Sequence, residues 1–133
     1  MEELGELLGW LIAVSFGATI LNYVLKFINK KYAKQINSSP EIKKYYSLLM
    51  KIFVRQHKLW GISTIVFLLL HFLVQSLFNE ISTTGLIAGG IMLFQVLLGM
   101  SGAYIFKKRQ GLWFVIHRIV SIVLVLGIII HLL

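Results

Sequence analysis

The chain has 133 residues, of which 58% are hydrophobic, and a formal net charge of +8. Its mean hydropathy of +0.85 is more apolar surface than a soluble domain of this size could bury, which points to lipid as the solvent. The absence of cysteine excludes disulfides, thiolate metal sites, iron–sulfur clusters and covalent c-type haem attachment.

The basic balance does not argue for nucleic acid, because the lysines and arginines sit between apolar runs, as they do in membrane proteins. No nucleic-acid partner is expected. Four such runs are long enough to span a bilayer, which takes about 20 apolar residues in a helix. They cover residues 7–28, 59–78, 84–106 and 112–133. None alternates in the manner of a strand, so each is expected to be a helix. The chain is therefore read as one all-α domain, residues 1–133, forming an integral-membrane four-helix bundle.

The first run begins with the acidic "MEELGE" and ends without a small-residue cleavage pattern. It reads as a retained helix rather than a signal peptide. Within it, Asn22 reads as a polar contact between helices. The connection that follows is the longest. In it "SSPE" has the composition of a helix start, with Ser39 as cap, Pro40 in the first turn and Glu41 at the positive end. The mixed "EIKKYYSLLMKIFVRQHK" then predicts an interfacial helix leading into the second run, the alternative being a solvated loop. "NEISTTG" joins the second and third runs and "KKRQG" the third and fourth. Connections this short make neighbours antiparallel, so the second and fourth runs point the same way.

Nine of the thirteen basic residues (Lys26, Lys30, Lys31, Lys34, Lys43, Lys44, Lys51, Arg55 and Lys58) lie in or beside the first connection. Lys107, Lys108 and Arg109 lie in the third, and Arg118 is just inside the fourth run. By the positive-inside rule these connections face the cytoplasm and both termini face outside. A prokaryotic cell membrane is the expected location.

All four histidines fall in two matching stretches, "HKLWGISTIVFLLLH" at 57–71 and "HRIVSIVLVLGIIIH" at 117–131. Fourteen residues of helix separate the members of each stretch by about 21 Å along the axis. They also return the chain to nearly the same face, about 40° short of four full turns. Because the two helices are parallel, His57 is expected level with His117, and His71 with His131. Ionisable side chains within membrane helices are costly and usually functional. Zinc wants four ligands, and these helices hold no Cys, Asp or Glu to complete the set. A six-coordinate haem iron needs two axial donors, which neutral imidazole suits. Two non-covalent bis-histidyl b haems, stacked across the bilayer, are the expectation. The competing reading is four membrane histidines making interhelical hydrogen bonds.

Small residues accompany the histidines. Gly61 follows His57 by four, Ser121 follows His117 by four, and Gly127 precedes His131 by four. The third run carries Gly85, Gly89, Gly90, Gly99 and Gly102, of which Gly89 and Gly90 are expected near the outer haem and Gly99 and Gly102 near the inner. Such residues could make room for a porphyrin or simply let helices pack closely. Arg118 is expected to pair with a haem propionate, while Lys58 and Arg55 fit snorkelling to headgroups. Trp10, Trp60, Tyr104 and Trp113 read as interfacial anchors. Met92 and Met100 read as packing residues, and Gln95 as a bond to another helix or a bridge between haems.

Paired H-x13-H helices separated by a single helix resemble the membrane di-haem cytochromes b. Two families share the pattern: the haem domain of ferric reductases and NADPH oxidases, and the cytochrome b of quinol-oxidising complexes. In the former the first histidine helix runs outward from the cytoplasm, as the second run does here. The resemblance therefore favours a minimal ferric-reductase-like haem bundle, and it implies His57, His71, His117 and His131 as axial ligands. This chain departs from the larger enzymes in having no flavin or nicotinamide domain. The function expected is one-electron transfer across the bilayer, with a flavoprotein, another reductase or a quinone as redox partner. The alternatives are an oxidoreductase acting directly on a small acceptor and a haem-bearing anchor in a larger complex. Homo- or hetero-oligomers are compatible with either.

Overall fold

The computed structural model describes residues 1–107 and 110–133; Lys108 and Arg109, counted above among the cytoplasmic charges, lie outside the described residues. The protein is all-α. Its elements in chain order are α1 (Glu2–Lys31), α2 (Ala33–Ser38), α3 (Pro40–Leu49), a π-helical segment (Met50–Arg55), α4 (His57–Phe78), α5 (Thr83–Ser101), a second π-helical segment (Gly102–Phe106) and α6 (Leu112–Leu132). Among the described residues, four helical stretches are long and apolar enough to cross a membrane: Glu2–Lys31, His57–Phe78, Thr83–Phe106 and Leu112–Leu132. Large apolar side chains stay exposed along them, among them Leu69, Leu73 and Leu77 on α4 and Ile119, Ile122 and Ile130 on α6. Such surfaces are stable against lipid rather than water.

α1 is longer at both ends than its apolar run. Glu2 and Glu3 occupy its first turn and Lys30 and Lys31 its last. Those charges oppose the helix macrodipole at the two termini and so extend the helix past the hydrophobic stretch. α5 starts at Ser82, whose side chain accepts from the Gly85 N–H at 3.1 Å, satisfying one of the unpaired donors of the first turn.

The chain divides into two compact units. The first comprises Met1–Gly9 and Leu68–Leu133, and so holds the first two turns of α1, the later half of α4, and all of α5 and α6. Its buried side chains include Leu8, Val74, Ala88, Met92, Gln95 and Leu124, the last fully enclosed. A Cβ on Gly127 would stand 4.0 Å from the Ala88 Cβ, so small residues set the approach of α5 to α6 there. Gln95 forms the polar tie between these helices. Its Nε2 donates to the His117 carbonyl at 2.9 Å and to Ser121 Oγ at 2.5 Å, while Ser121 Oγ donates back to the His117 carbonyl at 2.8 Å.

The second unit, Trp10–Phe67, holds the rest of α1, the connection and the first half of α4. Ile12, Phe16, Ala18, Leu25, Ile36 and Thr64 are buried. The expected interfacial helix is α3, and the Tyr46 hydroxyl ties it to α1 by donating to the Leu25 carbonyl. Ser39 stands at the N-cap position of α3, but its side chain makes no capping hydrogen bond. Its carbonyl accepts from the Lys43 N–H instead, at 3.0 Å. α3 does not run straight into α4. The π segment Met50–Arg55 and a turn at Gln56 intervene, and the wider i→i+5 winding re-aims the chain. Trp60 fixes this junction, donating from Nε1 to the Ile52 carbonyl at 3.0 Å and stacking on Phe53 with ring centroids 6.1 Å apart. Asn22 was expected to bridge helices; its buried Oδ1 has no hydrogen-bond partner among the described residues.

Candidate haem-ligating histidines

His71 and His131 belong to the first unit, on α4 and α6. Both are half-buried, and His131 lies within Coulombic reach of His71. His71 Nδ1 donates to the Gly5 carbonyl at 2.9 Å; a carbonyl can only accept, so Nδ1 carries the proton and Nε2 holds a free lone pair. His131 Nδ1 lies 3.2 Å from Thr84 Oγ1 and 3.4 Å from Ser82 Oγ. Both imidazoles thus have Nδ1 beside oxygen partners, an arrangement that orients metal-ligating histidines.

His117, in the same unit, is anchored at its backbone by the Gln95–Ser121 network. Its ring packs beside Trp113, with centroids 6.4 Å apart and planes inclined at 59°. α5 meets both α6 histidines in the same way. A Cβ on Gly85 would come within 2.8 Å of His131 Cε1, and one on Gly99 within 3.1 Å of His117 Cε1. Gly85 and Gly99 are fourteen residues apart, as are His117 and His131. Two antiparallel helices with the same interval give each histidine a glycine backbone to rest on.

His57 lies in the second unit. It is half-buried, and Lys26 is within Coulombic reach. Its Nδ1 is buried and has no hydrogen-bond partner among the described residues. Its level with His117 remains a reading of the sequence interval.

The companion residues divide. A Cβ on Gly61 would meet nothing within 4 Å, so there is open space beside α4 one turn after His57. Ser121 serves the backbone network above, and Gly127 serves the packing of α5 on α6. The Arg118 guanidinium sits over the Phe114 ring at 4.2 Å from its centroid, a cation–π contact along the outside of α6. Gly85 rather than Gly89 or Gly90 meets His131: Gly89 faces Leu68, and Gly90 has open space around it.

Sequence reasoning missed the roles of Gly5, Ser82, Thr84 and Lys26 beside the histidines. The hydroxyls had a readable signal, since an antiparallel turn must bring the start of α5 beside the end of α6. The Gly5 carbonyl had none, because a backbone acceptor leaves no mark on residue identity.

Among the described residues no three His, Cys, Asp or Glu side chains converge. A pair of imidazoles such as His71 and His131 suits a metal that brings its own equatorial ligands, as haem iron does, whereas a structural zinc takes four ligands. No protein-family model, no curated protein and no solved structure matches this chain.

Proposed function

We propose that the chain is a b-type membrane cytochrome that carries electrons between redox partners on opposite faces of the bilayer. One haem is held by His71 and His131; by the repeated sequence interval, a second is held by His57 and His117. The observation that carries this reading is the outer pair. Two imidazoles lie within Coulombic reach of each other, and each has Nδ1 at hydrogen-bonding distance from oxygen partners, with Nε2 left for a metal.

Haem supplies one-electron ferric–ferrous chemistry when bound. The chain's residues supply ligation, orientation and a dry surround. The Gly5 carbonyl and the Thr84 hydroxyl hold the rings of His71 and His131 against rotation. Gly85 and Gly99 bring α5 close behind α6. The apolar side chains around the histidines exclude water and strengthen each electrostatic contact within. The basic first connection supports a cytoplasmic position for the His57 end and an outer position for the His71 end. A flavoprotein, another reductase or a quinone would serve as partner on one face.

Ligand replacement tests the reading. His71→Ala and His131→Ala should each remove the same haem and leave the other, while His57→Ala and His117→Ala should remove the second. Haem content and low-temperature spectra of the reduced protein distinguish the two. Loss of a common haem from His57→Ala and His131→Ala would contradict the pairing.

A further inference from the structure

We propose that α1 positions a histidine of α4: its backbone carbonyl at Gly5 orients the imidazole of His71 through Nδ1. This rests on the di-haem reading above, but it concerns the chain's own residues.

The Gly5 carbonyl accepts from His71 Nδ1 at 2.9 Å. The backbone carbonyl of Gly5 can reach the ring because α1 comes close. A Cβ on Gly9 would already be 3.7 Å from His71 Cε1, and one on Gly5 would be 2.8 Å from Gln75 Nε2. Gly5 is buried and Gly9 half-buried, so the contact is shielded from water and its geometry is held by packing.

The chemical consequence has a definite sign. A carbonyl accepting the Nδ1 proton makes the imidazole a better donor through Nε2, which favours the ferric state and lowers the potential of the haem it ligates. Losing the acceptor should raise that potential. α1 would thereby set the potential of a haem ligated by His71 through that imidazole.

The experiment uses the full chain in lipid nanodiscs. Gly9→Val puts bulk over His71 Cε1 and separates the helices; Gly9→Ala, which makes only ordinary contact, is the control. A second variant replaces the Gly5–Glu6 amide with an ester, weakening that carbonyl as an acceptor without adding bulk. Redox titration should give a raised midpoint for the haem ligated by His71 in Gly9→Val and in the ester variant. The other haem's midpoint and the Gly9→Ala values should stay at the parent's. ¹⁵N NMR of labelled histidine in haem-free protein should find the Nδ1–H tautomer of His71 in the parent and in Gly9→Ala, with faster proton exchange in Gly9→Val. Two haems per chain with unchanged midpoints in both variants would overturn the role of α1 and leave the di-haem reading standing. A parent chain that binds no haem would overturn the di-haem reading, and the NMR result would then decide the orientation of His71 by itself.

Discussion

Thr84 Oγ1 stands 3.2 Å from His131 Nδ1, linking the second residue of α5 to the last turn of α6. Ser82, the N-cap of α5, reaches the same nitrogen from 3.4 Å. The residues that start one membrane helix therefore orient an imidazole at the end of the next. The hydroxyls are half of the arrangement around His71 and His131, with the Gly5 carbonyl on His71 as the other half.

Thr84→Val keeps the shape of the side chain and removes the hydroxyl. The His131 ring then keeps only the longer Ser82 contact. A hydrogen bond of this kind contributes about 0.5–1.5 kcal/mol, so retention of the outer haem should weaken roughly two- to tenfold, measured by haem transfer to apomyoglobin. Haem loss from the inner site should keep the parent rate.

The glycines of α5 predict a graded series. Gly85→Val places a branched side chain where a single Cβ would already be 2.8 Å from His131 Cε1, so the ring must leave its position and the outer haem should be lost. Gly99→Val should act in the same way on the haem ligated by His117, where the Cβ distance is 3.1 Å. Gly90→Val meets open space and should retain both haems. The absorbance of the reduced protein at the haem α-band reads all three.

Gln95 ties α5 to α6 through the His117 carbonyl and Ser121, and it is 6% exposed. Interhelical hydrogen bonds within membranes contribute about 0.6 kcal/mol on average and up to about 1.7. Gln95→Leu should therefore lower the unfolding midpoint in detergent by an amount equivalent to about 1 kcal/mol, with both haems still bound. A loss of haem without a loss of stability would assign Gln95 to the haem rather than to the helix contact.

Tyr46 gives a pH dependence outside the spans. Burial raises its phenol above the ordinary tyrosine value, against a smaller opposing pull from the Asn29 backbone. The neutral hydroxyl donates to the Leu25 carbonyl. A folded value raised above the unfolded one means that this tie is fully present below about pH 10 and is lost as pH rises through the raised value. Amide exchange over residues 40–49 should accelerate in that alkaline range in the parent. In Tyr46→Phe it should be fast at every pH.

The four spans were legible because their apolar runs have the length that a bilayer requires, and the histidine interval was legible because fourteen residues nearly close four helical turns. Gln95 was legible as a bond between helices, since a buried amide in a membrane helix needs a partner. The environment of the histidines was not. His71 is oriented by a main-chain oxygen, which any residue at position 5 would supply. Ser82 read only as part of the "NEISTTG" connection and Thr84 as the start of the third run, although their hydroxyls lie beside His131. The π-helical segments at Met50–Arg55 and Gly102–Phe106 left no periodic signal. Their i→i+5 winding is a local adjustment to packing, as where Trp60 bonds the Ile52 carbonyl.

Whether paired imidazoles hold haem at two levels is tested most directly by haem stoichiometry and visible spectra of the purified chain. Two acid-acetone-extractable b haems per chain are expected, both low-spin in the ferric and the dithionite-reduced states, with sharp α-bands on reduction. A well-folded preparation that binds no haem, or only one haem per chain, would contradict that expectation.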